Sequence, residues 1–269
     1  MNDKPREEPS LAQQAEAALK EAVQKVPNSR DLKMVLAQQQ ADMGNPDRAL
    51  KDVQAMLKGT ADDRSVYLTL AKIETRLKRF PDAEQALDKA EQFSANQDDK
   101  EYVWFLRGST FERQKRYSDA EQEFRKVIAS DPQNAQALNY LGYMLADQNT
   151  KLEEAFNLIK RAVDIDPANG AFLDSLGWAY FRLGKYDLAE ENLIKASQKI
   201  NTDPTVQDHL GDLYQKTGRL QQAATHWERA LNEWNRTIAV EVDQTEVARV
   251  QKKLDAAKVK LAREEPQKQ

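Results

Sequence analysis

The stretch LDSLGWAYFRLGKYDLAEENLIKA, residues 173–196, decides the reading of the chain. Leu173, Leu176 and Tyr180 step by three and four, which places them on one face of a helix. Gly177 and Ala189 are small residues in otherwise bulky runs, as two helices crossing at close range require. Between them, Leu183-Gly184-Lys185-Tyr186 breaks the pattern with a glycine, which takes the left-handed conformation that closes a helix. The stretch reads as helix, turn, antiparallel helix.

Working outward, the same pattern recurs. A small residue flanked by apolar ones stands at Ala37, Ala71, Gly108, Gly142, Gly177 and Gly211, with steps of 34, 37, 34, 35 and 34. A second small residue stands at Ala15, Ala49, Ala83, Ala120, Ala155, Ala189 and Ala223, with steps of 34, 34, 37, 35, 34 and 34. Two independent columns that drift together mark a tandem repeat. Proline closes several units, as in Asp131-Pro132 and Asp166-Pro167, where it blocks continuation of the second helix. The departures are local. Asp147–Thr150 holds one extra residue in its turn, and Phe93–Lys100 runs three residues long, so the array is expected to bend or divide into two blocks there. Gln40 and Glu74 stand where the better-matched units carry an aromatic, which predicts looser packing in the first two units.

Composition agrees. Gly and Pro number 9 each, charged residues are 31% and hydrophobic ones 40%, which suits an elongated solenoid with a thin core. The net charge of −4, from 40 basic and 44 acidic side chains, leaves no electrostatic footprint for nucleic acid. No apolar run approaches the ~20 residues that cross a bilayer, so direct membrane insertion of this chain is not expected. Cysteine is absent, which removes disulfides, thiolate nucleophiles and Cys-based metal sites.

Residues 1–9 read as a disordered lead-in. Residues 10–28 hold a lone helix with a Ser10-x-x-Gln13 capping box, either a half repeat whose first helix lies upstream or an amino-terminal cap. After Asp243-Gln-Thr-Glu246, a second capping box, Val247, Val250, Leu254, Ala257 and Leu261 form a short heptad seam. It predicts a capping helix over 243–263, with a dimerising helix as the alternative, and a disordered tail at 264–269.

No catalytic constellation stands out. His209 and His226 lie 17 residues apart on the two helices of one unit, without the further ligands a metal site needs, and read as structural or surface histidines. No phosphate-cradling glycine loop occurs. The reading is therefore no enzyme, no cofactor and no metal.

Trp104, Gly108, Phe111, Tyr117, Ala120, Phe124 and Pro132 resemble the tetratricopeptide repeat, whose pattern is W-x2-L-G-x2-Y, then A-x3-F, then P. Leu176-Gly177, Tyr180, Tyr186 and Ala189 match it in residues 173–196, as do Leu210-Gly211, Tyr214, Ala223 and Trp227 further on. The resemblance covers roughly residues 10–234. It implies an all-α solenoid, a right-handed superhelix of about six hairpins over 29–234 with flanking helices, whose first helices line a concave groove. It also implies a non-enzymatic scaffold or adaptor holding a peptide or protein partner. The groove positions of that family fall here on Tyr102, Phe105 and Arg113, then Asn139 and Tyr143, then Trp178, Phe181 and Arg182. The five aromatics stand where the fold's core is not expected to need them and read as a binding stripe, with packing between repeats as the alternative. Arg113 and Arg182 are expected to pair with acidic groups of the partner, and the Asn139 amide could clamp a peptide backbone. The Lys/Asn/Arg clamp of chaperone-binding members is absent, since Met34, Gln38 and Leu68 stand in its place.

The segments 138–147 (LNYLGYMLAD) and 173–180 also look like the carboxy-terminal repeats of bacterial cell-envelope lipoproteins of this family, some of them protease adaptors. That likeness implies the periplasm or cell envelope, with the cytoplasm as the alternative. A monomer is favoured over a homo-oligomer. A self-associating structural protein and a regulatory fragment of a larger enzyme remain as alternatives.

Overall fold

A computed structural model describes residues 11–237 and 242–264. The lead-in through Ser10, with its capping box, and residues 265–269 of the tail lie outside the described residues.

Fourteen helices and no strand occur among the described residues. Helix α1 (Leu11–Lys25) comes first. Six first-helix and second-helix pairs follow: α2 (Arg30–Asp42) with α3 (Pro46–Gln54), α4 (Asp63–Arg76) with α5 (Phe80–Gln92), α6 (Gln97–Arg113) with α7 (Tyr117–Ser130), α8 (Ala135–Asp147) with α9 (Leu152–Ile165), α10 (Gly170–Arg182) with α11 (Tyr186–Lys199), and α12 (Pro204–Lys216) with α13 (Leu220–Trp234). Helix α14 (Gln244–Glu264) closes the chain. The fold is the all-α array of hairpins that the repeat implies.

The helices form two compact units, the first running through Gln114 and the second beginning at Lys115. A division at the long loop 93–100 is therefore corrected: the boundary lies one helix later. The extra residues were accommodated as helix. Helix α6 has 17 residues, against 13 in α2, α8, α10 and α12. Asn96 caps its start, accepting from the Asp99 N–H at 2.9 Å. Arg64 fastens this extra turn by donating to the Asp99 carbonyl at 2.8 Å.

The repeat columns have a direct geometric meaning. A Cβ on Gly177 would lie 2.7 Å from Leu193 Cγ and 3.1 Å from the Leu193 backbone N, so only a bare backbone lets α10 approach α11. At Gly142 the obstacles are Ile159 Cγ1 at 2.6 Å and the Ala155 carbonyl at 2.9 Å. The turn between paired helices always contains a left-handed residue, at Gly44, Lys78, Lys115, Asn149, Gly184 and Gly218. In the turn with one extra residue, Lys151 is left-handed as well, at φ 47°.

In the first unit, Met34, Val53, Val66, Ile73, Leu87 and Val103 belong to one continuous core. In the second, Leu193, Leu210, Leu213 and Trp227 pack with Val250 and Leu254 of α14. The heptad seam of α14 thus lies inside that core, with Val250 and Ala257 fully buried. Asp243 begins the helix by accepting from the Thr245 N–H at 2.9 Å.

Candidate protein-binding face

The residues expected to line a groove fall in different units: Tyr102, Phe105 and Arg113 in the first, and Asn139, Tyr143, Trp178, Phe181 and Arg182 in the second. In the first unit, Tyr102 is 41% exposed near the start of α6, with the Lys72 ammonium of α4 5.2 Å from its ring centroid. Phe105 is half-buried one turn later, and Arg113 is exposed at the end of the helix. Between α4 and α6, the Thr75 and Thr110 hydroxyls meet at 3.0 Å.

The second unit organises its residues differently. Trp178 is 5% exposed. One face of its indole stacks on the His209 ring at 4.1 Å and 12°, and it also stacks with Phe181 at 4.8 Å and 11°. Its N–H donates to Asp147 Oδ1 at 3.3 Å. The expectation that the core does not need Trp178 is corrected by this burial: the side chain next to Gly177 is turned toward the neighbouring first helices, where it fills the space between α8, α10 and α12. Arg182 is also committed within the fold. Its Nε donates to the Ala146 carbonyl at 3.0 Å and its Nη2 to the Asp147 carbonyl at 2.5 Å, satisfying the end of α8. Asn139 is buried, and its Oδ1 has no hydrogen-bond partner among the described residues. Tyr143 and Phe181 are half-buried.

Sequence reasoning did not identify what His209 does. Its Nδ1 donates to both oxygens of Asp174, at 2.9 and 3.1 Å, and its Nε2 lies 3.5 Å from the Tyr143 hydroxyl. Burial alone would depress the imidazole's pKa, but the Asp174 carboxylate, with Asp208 and Asp212 beyond it, more than offsets this and holds it above the ordinary histidine value. A signal existed: Asp174 and His209 are 35 residues apart, one repeat period. Asp208 and Asp212 are held by α14. Arg249 donates to Asp208 at 2.6 Å, and Lys253 donates to Asp208 at 2.9 Å and to both Asp212 oxygens at 2.5 and 2.7 Å. Burial raises the Asp212 pKa, Asp208 raises it further, and Lys253 opposes both. His226, on α13, is pushed down to about 4 by burial and Arg229. Among the described residues, no three His, Cys, Asp or Glu side chains are placed to hold a metal ion. None of these helices is long and apolar enough to cross a membrane.

Two family models, both described as tetratricopeptide repeat, match residues 34–98 and 105–170 and residues 172–198, together more than half of the chain. A TPR repeat-containing protein of Pseudomonas aeruginosa is 42% identical over 108 residues, 40% of this chain and 18% of that protein. The type IV pilus assembly protein PilF of the same organism is 31% identical over 99 residues, 36% of this chain and 39% of that protein. The matched stretches thus span well under half of each relative. Among solved structures, a tetratricopeptide repeat protein from Parabacteroides merdae superposes with a TM-score of 0.65 at 17% identity, over 89% of this chain and 91% of that one. PilW, a type IV pilus biogenesis factor, gives 0.57 at 18% identity, over 76% and 94%. These structural likenesses concern the fold.

Proposed function

The chain belongs to the tetratricopeptide repeat family, and from that premise we propose that it is a non-enzymatic adaptor that holds a protein or peptide on the faces of its first helices. Proteins of this family are generally protein-interaction scaffolds. The observation that carries the proposal is Tyr102: a large aromatic at a first-helix groove position, 41% exposed, beside Lys72. Exposed aromatics are the usual anchors of protein interfaces. Within the first unit, Phe105 and Arg113 extend the same helix as candidate contacts. In the second, Tyr143 and Phe181 are the candidate contacts, while Trp178 and Arg182 act by holding the face in shape.

One relative is a type IV pilus assembly protein by name, which supports an adaptor in a bacterial envelope assembly. The test is affinity capture from the source cell with the full chain and its Tyr102→Ala variant, compared by quantitative mass spectrometry. A partner depleted about tenfold or more in the variant, with helicity and melting temperature unchanged, is the expected result. Equal capture by both chains removes Tyr102 as an anchor and the proposal with it. Fractionation of the source cell tests the envelope assignment separately, and recovery with the cytoplasmic fraction would refute it.

A further inference from the structure

The first-helix positions of the last two repeats carry Asp174, Asp208 and Asp212, which by sequence alone make this face acidic. The structure reverses that sign. Asp174 is paired with His209, and α14 supplies Arg249 and Lys253 to Asp208 and Asp212. The two carboxylates and two cations from α12 and α14 cancel. Beside them stand Lys216 at the end of α12 and Lys260 on α14, both exposed and neither with a carboxylate partner among the described residues. These two ammonium groups border a cavity of about 400 Å³, lined by Phe181, Asp212, Gln215, Lys216, Lys253 and Lys260. That volume falls within the ~300–1,000 Å³ typical of small-ligand sites. Its apolar wall is the Phe181 ring, which stacks on Trp178.

We propose that this cavity seats an acidic segment of a partner protein, with one apolar side chain against Phe181 and flanking carboxylates toward Lys216 and Lys260. The inference rests on the adaptor reading and names the chemistry of what is held. Lysine suits this task because it offers a mobile point charge to a carboxylate and requires no fixed fork geometry. Arg182 is tied elsewhere, with its Nε and Nη2 bound to the carboxyl end of α8. Helix α14 therefore does more than close the core: by neutralising the α12 aspartates and adding Lys260, it makes this end of the face attractive to anionic chains.

The test is a titration of the full chain, followed by amide chemical shifts, with the peptide acetyl-Asp-Glu-Phe-Glu-Asp-amide. A control peptide replaces each acid by its amide. The acidic probe should shift the Phe181, Gln215 and Lys216 signals and bind more tightly than the amide control. Affinity should fall about tenfold in Lys216→Glu/Lys260→Glu, two exposed changes that leave the core intact. Lys33→Glu/Lys51→Glu alters net charge equally on exposed positions of the first unit and should leave affinity unchanged. Equal binding of acid and amide peptides, or equal loss in both double variants, overturns the inference. The capture experiment with Tyr102→Ala reads the parent proposal independently, because Tyr102 lies in the first unit and outside this cavity.

Discussion

Trp178→Ala should destabilise the second unit strongly. The side chain is 95% removed from solvent, so truncation deletes nearly all of a buried indole. Large-to-small changes of this kind cost about 3–5 kcal/mol when the surroundings cannot collapse. Two stacked neighbours make collapse difficult here, because His209 and Phe181 lie 4.1 and 4.8 Å from the ring and are themselves anchored in the fold. The variant also leaves Asp147 without its indole donor and exposes a face of His209. For a unit of this size ~1 kcal/mol corresponds to about 2–4 °C, so the far-ultraviolet melting transition should fall by roughly 10 °C. Tyr102→Ala is the comparison: an exposed residue whose loss should cost less than ~1 kcal/mol. Circular dichroism at 222 nm reads both without relying on tryptophan fluorescence. A Trp178→Ala chain that melts within about 2 °C of the parent would refute the assignment of this residue to the inter-repeat core.

Gly177→Ala should cost about 1–3 kcal/mol despite alanine's better helix propensity, because the new methyl meets both the side chain and the backbone of Leu193. Chemical denaturation measures this, and a stabilised variant would contradict the close approach. Glu74 is buried in the first unit and its pKa is raised to about 7 by burial and then by Asp82. A raised folded pKa gives a contribution that is full below the unfolded value near 4.5 and lost as pH rises through 7. Glu74→Gln should therefore gain about 1–2 kcal/mol relative to the parent on going from pH 5 to pH 8, after discounting for solvent screening. A difference that is flat across that range refutes it. Lys253→Ala removes a partner of Asp208, which is 2% exposed, and should cost about 3 kcal/mol or more. A loss below ~1 kcal/mol would show that Arg249 alone suffices for Asp208.

Much of the fold was legible because each unit carries its own rules. The small residues at Gly142, Gly177 and Gly211 report helix crossings one hairpin long, and the turn residues report a left-handed backbone. Even so, the turn column is not confined to glycine: Lys78 and Lys115 sit at φ 58° and 61°, and nothing in a lysine announces that. The long loop was misplaced because the sequence QDDKE of residues 97–101 is polar throughout, and polar residues suit an exposed helical turn as well as a loop. The candidate site was less legible. Position within a repeat says which helix face a residue occupies, and not whether the next repeat covers it. Trp178 and Tyr102 both fall on positions expected to line a groove, yet one is buried under His209 and the other is open.

What covers a side chain is decided one period away, and the polar contacts show it. Within the first unit, Arg30 reaches Asp63, Arg64 reaches Asp99, Arg76 pairs with Asp42, and Thr75 meets Thr110, at separations of 33, 35, 34 and 35 residues. Within the second, Asp174 meets His209 and Arg182 reaches Asp147, both at 35. Each contact joins equivalent or near-equivalent places in successive repeats. Apolar packing between neighbouring repeats tolerates substitution if volume is kept, whereas a buried donor or carboxylate that loses its partner is left with its full desolvation cost. These pairs therefore select which repeat stands next to which. The acidic α12 shows the same rule where α14 stands in the place of a next first helix: Asp208 and Asp212 take their cations, Arg249 and Lys253, from it.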